Sequence, residues 1–207
     1  MSSPDTDALP TLRGRRVLLR LPVAADVAAR VSIPRDPEEN RLYGGDGEPK
    51  VFTPAEVEAH LATLIEQDLT TSRQFVIAAL SWPDGRATEE PEGRYIGSAR
   101  LHSISWSDRK ARFAIGIFDR RFWSHGYGAE ATRLLLRHGF DDLGLHRIDL
   151  RVLAFNPRAI RCYEKCGFRR EGVERESALI GGVWHDDIMM SILESEYRAQ
   201  PWIGDEG

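Results

Sequence analysis

The segment ARFAIGIFDRRFWSHGYGAEATRLLL, residues 111–136, passes from one periodicity to another. Over residues 111–118 apolar side chains recur at every second position, the signature of a strand. From Tyr127 onward, Tyr127, Ala131, Leu134, Leu135 and His138 recur at helical spacing, which predicts a helix with one buried face starting directly behind Gly126. Between the two lies the turn Trp123, Ser124, His125, Gly126, Tyr127, Gly128. A helix start presents backbone N–H groups without intrachain partners and about half a positive charge, so it favours phosphate. Glycines at 126 and 128 remove Cβ atoms where a diphosphate would approach the backbone. Taken alone, the same spacing also suits a tight turn that uses glycine for its dihedrals. The turn lacks the Gly-Lys-Ser/Thr of a Walker loop and the six-residue dinucleotide fingerprint, which disfavours a nucleotide-binding module.

Downstream, HRIDLRVLAF (residues 146–155) reads as a strand, and Asn156 followed by Pro157 is a cap with proline at the first helical position. The helix they open is short, because Gly167 stops it. Two further strand-like runs flank Gly181 and Gly182, a two-residue hairpin signal. Upstream, residues 15–21 are predicted as a first strand, followed by an Ala-rich helix from about Ala25. Residues 32–53, dense in Pro, Gly and acids, read as a long loop or broken helix. Thr53, Pro54 and Glu56 then cap a helix expected to reach about Leu69. Strands over 74–80, 94–104 and 111–118 complete the order β-α-α-β-β-β-α-β-α-β-β. Residues 1–12 and 199–207 are expected to be tails around one domain spanning 13–198.

The chain has 207 residues, 42% of them hydrophobic and 29% charged, with a formal net charge of −4. That composition excludes a disordered or fibrous chain and offers no global attraction for nucleic acid or anionic membrane. No stretch approaches the apolar length of a membrane span, and the start MSSPDTDALP lacks the layout of a secretory signal, so a cytoplasmic address is expected. Cys162 and Cys166, four apart with no matching Cys or His cluster, are expected to be reduced packing residues. His185, Asp186 and Asp187 do not make a metal site, because adjacent strand residues point to opposite faces. No metal is expected. Glu89, Glu90 and Glu92 read as a solvated loop tip.

WSHGYGAEA behind a strand, followed by HRIDLRVLAFNPRAIRCYEKCGFRREG, resembles the acyl-CoA pyrophosphate loop and the next strand and helix of the GNAT superfamily of N-acetyltransferases. The likeness covers roughly residues 95–193. Trp123 stands at the first loop position, as it often does among ribosomal-protein N-terminal acetyltransferases, while AIRCYEKCGF is equally similar to polyamine and aminoglycoside acetyltransferases. The resemblance implies an α+β fold: a mixed, mainly antiparallel central sheet flanked by helices, with a V-shaped opening between two central strands. It further implies an acetyl-CoA-dependent N-acetyltransferase in which the backbone of Trp123, Ser124, His125, Gly126, Tyr127, Gly128 and Ala129 holds the diphosphate. Backbone groups around Ile117 and Phe118 would meet the pantetheine amides, Asn156 would order the arm or a water, and Tyr163 would be the catalytic acid. Ala159 stands where the ribosomal branch often has Ser, which removes one hydrogen bond to the arm.

The residues have a physical logic beside that likeness. Asn156 and Tyr163 lie seven apart, two helical turns, so both can line one groove. A thiol and a phenol have reference pKa values of about 8.5 and about 10, so a tyrosine can return a proton to a leaving thiolate. The same tyrosine could equally pack in the core with its hydroxyl on backbone. For a general base, Asp119 at a strand end and His102 on the neighbouring strand are candidates. The expected acceptor is a protein or peptide N-terminal amine first, then a small amine such as a polyamine or aminoglycoside. A non-catalytic acyl-CoA-binding protein is the reading from another class. A monomer or a homodimer is expected, the hairpin with Trp184 forming a dimer contact or a substrate wall.

Overall fold

The computed structural model describes residues 9–34, 36–46 and 51–203. The first eight residues of the expected N-terminal tail, positions 35 and 47–50 of the expected long loop, and residues 204–207 of the expected C-terminal tail lie outside these. Eight strands form one sheet: β1 (Leu12–Arg13), β2 (Val17–Arg20), β3 (Ser72–Ala79), β4 (Arg94–Ser105), β5 (Lys110–Ile117), β6 (Arg147–Leu153), β7 (Arg169–Ile180) and β8 (Val183–Leu193). Their order is β1-β2-β3-β4-β5-β6-β8-β7, antiparallel throughout except for β5 and β6. That parallel pair requires a crossover, supplied by α4 (Tyr127–Arg137). The α+β class and the mixed, mainly antiparallel sheet are therefore as expected.

Strand alternation sends side chains to two cores. Leu19, Phe75, Ile77, Phe113, Ile148 and Leu150 pack with α4 and α5 (Pro157–Lys165) on one face. Leu18, Val76 and Tyr95 pack on the other face with α1 (Ala25–Ser32) and α3 (Pro54–Ile65). Among the described residues no helix is long and apolar enough to cross a membrane.

The ladder between β5 and β6 covers only Lys110 with Arg147, Ala111 with Ile148 and Arg112 with Asp149. Both strands continue beyond it, to Ile117 and Leu153, and there they diverge into the V. Across β5 on its other side, Gly97 of β4 lies opposite Ile117. A Cβ on Gly97 would sit 1.9 Å from the Gly116 carbonyl oxygen, so only glycine lets the two backbones approach this closely.

Local chemistry moves some boundaries. α3 ends at Ile65 rather than near Leu69, because Gln67 turns back onto the Leu64 carbonyl and the Gln74 backbone while Asp68 caps a turn at Thr70 and Thr71. Within the expected long loop, Asp36 caps a short helix α2 (Pro37–Leu42), with proline at its first turn. Leu12, placed in the tail by the sequence, pairs with Leu19 and is buried. Beyond a last short helix α6 (Glu194–Arg198), Trp202 packs on Tyr197, so the C-terminal tail begins later than position 199. Behind α4 the helix widens into one π turn, His138–Asp142, that no sequence signal announces.

The α2 segment ties the two arms of the V together. Asp36 pairs with Arg120, and the Tyr43 hydroxyl donates to the Ile117 carbonyl, both on the β5 side. On the β6 side, the Arg41 guanidinium lies over the Phe155 ring, and Asp46 accepts the Gly181 N–H at the tip of the β7–β8 hairpin. Gly181 and Gly182 both have positive φ, as a two-residue hairpin turn requires. Trp184 is exposed just behind that tip.

Candidate active site

Between the diverging strands lies a cavity of about 680 Å³, walled by β5, β6, the start of α4, α5 and the end of α2. That size suits a cofactor arm. Successive strand residues turn their backbone groups to alternate sides, and the Phe118 N–H is bonded back to the Ile96 carbonyl at 2.8 Å, away from the gap. The residues facing the gap are therefore Phe113, Ile115 and Ile117, and all three line the cavity. Phe118, expected at the pantetheine arm, instead packs edge-on against Tyr43 on the α1/α3 face. Ile117 is at the gap, and its carbonyl accepts from the Trp123 indole N–H at 2.7 Å and from Tyr43 at 3.2 Å.

The turn before α4 is built as the glycine pattern implies. Ser124 and Gly126 have positive φ, and Gly126 opens α4 from the left-handed region, so no side chain caps the first N–H groups. Arg16 of the segment before β2 holds this turn, a role no motif marked. Its guanidinium donates to the His125 carbonyl at 2.8 Å and to Glu130 at 3.0 Å, and its own N–H donates to Glu130. Tyr127 is buried, edge-on to Phe122 with its hydroxyl on the Ser81 carbonyl, so only its backbone belongs to the turn. Trp123, Ser124, Gly126, Gly128 and Ala129 line the cavity, whereas the side chains of His125 and Tyr127 do not. Above Gly128 there is room: a Cβ would meet nothing closer than Ile117 at 3.8 Å and Cys162 at 3.9 Å.

Asn156 and Tyr163 meet at the cavity, as their spacing predicts. Asn156 is buried and its Oδ1 caps α5 by accepting the Ala159 N–H at 3.1 Å. Tyr163 is 8% exposed, its ring edge-on to Phe113 and Phe168. No hydrogen bond to its hydroxyl occurs among the described residues, so it is not the backbone-bonded core tyrosine of the alternative reading. Burial raises its pKa well above that of an ordinary phenol, with Cys162 and Tyr43 adding and Arg158 opposing, so the hydroxyl keeps its proton. Cys162 and Cys166 are free thiols, Cys162 on the cavity wall and Cys166 bonded to the Ala129 carbonyl.

Neither base candidate reaches the cavity. Asp119 is buried, caps the turn Arg120–Phe122 and binds the Arg121 guanidinium through both oxygens. His102 lies opposite Arg112 on the far side of β5, and burial, then Arg100 and Arg112, lowers its pKa. The carboxylate that does line the cavity is Asp187 of β8. No motif marks Asp187, although the alternation that argues against a metal places it on one face with His185. Asp186, between them, accepts the Glu176 N–H instead.

Residues 16–169 match the family described as acetyltransferase (GNAT) domain. A spermidine N(1)-acetyltransferase of Vibrio cholerae is 35% identical over 109 residues, 53% of this chain and 62% of that protein. A Bacillus subtilis protein named as a ribosomal N-acetyltransferase, YdaF, is 28% identical over 109 residues, 53% of this chain and 59% of its own. The chain thus spans about six-tenths of the length of the curated relatives it matches. Among solved structures, spermidine N-acetyltransferase from Vibrio cholerae in complex with CoA and spermine superposes with a TM-score of 0.68 at 26% identity, covering 88% of this chain and 98% of that one. With a family match over three-quarters of its length and the splayed parallel pair at its centre, the chain belongs to the GNAT acetyltransferase family.

Proposed function

We propose that this protein transfers an acetyl group from acetyl-CoA to a primary amine of a small polyamine-like acceptor. The observation that carries it is the V-shaped cavity, which joins an uncapped helix start to a buried tyrosine hydroxyl. The spermidine acetyltransferases among its relatives support a small amine over the protein N-terminus that the sequence ranked first.

Acetyl-CoA, when bound, supplies the thioester. The residues present fit it: the uncapped amides at the start of α4 would hold phosphate, Gly128 leaves room above them, and Arg158, Arg161 and Lys165 line the same cavity. Asn156 spends its oxygen on the cap and keeps its Nδ2 donors for the arm. Tyr163 holds a proton at its hydroxyl and would deliver it to the departing thiolate.

Gly128→Ala separates cofactor contact from folding. Nothing in the protein obstructs the new methyl group, and the helix gains up to about 1 kcal/mol. The urea midpoint should hold or rise while the KM for acetyl-CoA increases about tenfold, because the methyl group meets the diphosphate. An unchanged KM would remove Gly128 from the cofactor site.

The acceptor is tested by thiol release from acetyl-CoA with spermidine, an aminoglycoside and peptides of varied N-terminus. Release should be fastest with spermidine. Release with peptides alone would restore the N-terminal reading, and CoA binding without release from any amine would favour a non-catalytic acyl-CoA-binding protein.

A further inference from the structure

The cavity wall carries charge of both signs. Arg158, Arg161 and Lys165 project from α5 on one side, with Arg158 stacked over the Trp123 ring. Asp187 of β8 is the sole carboxylate on the wall among the described residues. On β8 the side chains of Met190 and Ile192 enter the α4 core, so Asp187, odd-numbered, turns to the opposite face. Its register partners are Leu153 of β6 and Glu174 of β7, and Ala178, Ala114 and the Leu42 to Gly44 turn border the same cavity. Asp187 is half-buried and makes no hydrogen bond or ion pair among the described residues. The nearby Arg151, on the same wall, pairs with Glu174 at 2.8 Å and not with Asp187. Next along the same face, His185 has a buried Nε2 that also has no partner. A half-buried carboxylate on a cavity wall, with no ion pair of its own, offers a cationic ligand a charge-assisted contact.

We infer that Asp187 is the acceptor anchor, binding a second ammonium group of a diamine or polyamine while another nitrogen reacts. The attacking nitrogen must be neutral, and an ionised carboxylate beside it would favour its protonated form. A distal ammonium has no such conflict. The anchor therefore selects acceptors with two basic nitrogens a few bonds apart over monoamines of equal length. This inference rests on the small-amine reading above.

The test compares 1,4-diaminobutane with n-butylamine as kcat/KM ratios. Wild type should prefer the diamine by about 10–100-fold, the worth of a charge-assisted contact. Asp187→Asn should cut that preference below about threefold and leave the KM for acetyl-CoA within about twofold. Asp187→Glu should retain part of it, and Glu89→Gln, on the exposed loop, all of it. An equal preference in wild type and Asp187→Asn overturns the inference. If wild type releases no thiol, the activity reading fails, and calorimetric binding of the same amines to CoA-saturated protein decides Asp187 separately. Tighter diamine binding lost in Asp187→Asn supports the anchor, while equal binding, or none to wild type, refutes it.

Discussion

Tyr163→Phe should lower turnover about 10²–10³-fold while the KM for acetyl-CoA stays within about twofold. The ring keeps its place between Phe113 and Phe168, so the variant removes one oxygen and no packing. That oxygen bonds to nothing else among the described residues, hence its loss leaves no orphaned partner in the protein. Burial raises the pKa of Tyr163, so the group stays protonated through neutral pH and loses its proton only above the ordinary phenol value. The turnover of wild type should accordingly show no basic limb from Tyr163 below a pH of about 10. Steady-state thiol release at saturating amine, with CoA affinity measured separately, checks both statements. Turnover within threefold of wild type would take Tyr163 out of the chemistry.

Gly97→Ala should be the most destabilising of simple substitutions, by about 3 kcal/mol or more. Its Cβ would fall 1.9 Å from the Gly116 oxygen and 3.1 Å from the Ile117 Cα, both backbone atoms of a strand paired on that side. Neither can retreat as a flexible side chain would. For a chain of this size the melting midpoint should fall by roughly 6–12 °C. Gly172→Ala on β7 is the control, since nothing lies within 4 Å of its Cβ. The distortion enters at Gly116 and Ile117, so surviving Gly97→Ala protein should also bind CoA more weakly. An unchanged midpoint would mean that β4 and β5 approach less closely than they do here.

What the sequence disclosed was what short-range chemistry encodes. The strand-to-helix turn at 123–128, the cap at Asn156 with Pro157 and the glycine hairpin each carry their cause within a few residues, and each stands where expected. Asp36 with Pro37 has the same cap signature as Asn156 with Pro157, but its helix is brief and sat unresolved within a loop-like composition. The site was legible on the donor side for the same reason. Long-range features were not: Arg16 is 114 residues from Glu130, and nothing near either predicts their contact. Phe118 was misplaced because the side to which a backbone turns depends on where the ladder to β4 begins, a matter of register between strands. Asp119 looked free in sequence, yet an arginine two residues on occupies it. Asp187 was overlooked because its significance lies in what surrounds it.

The strap from Asp36 to Asp46 gives the molecule a division of labour. It bridges the arms of the V, reaching Arg120 from Asp36 and Ile117 from Tyr43 on one arm and the hairpin at Gly181 from Asp46 on the other. The proposed donor contacts come from residues 123–129 and 156–163, a different stretch of chain. On the proposed reading, acceptor range can be redrawn by exchanging the strap and hairpin tip while the acetyl-handling half is left as it is. Such a modular layout makes this scaffold a ready starting point for altered amine selectivity, with two short cassettes as the place to randomise.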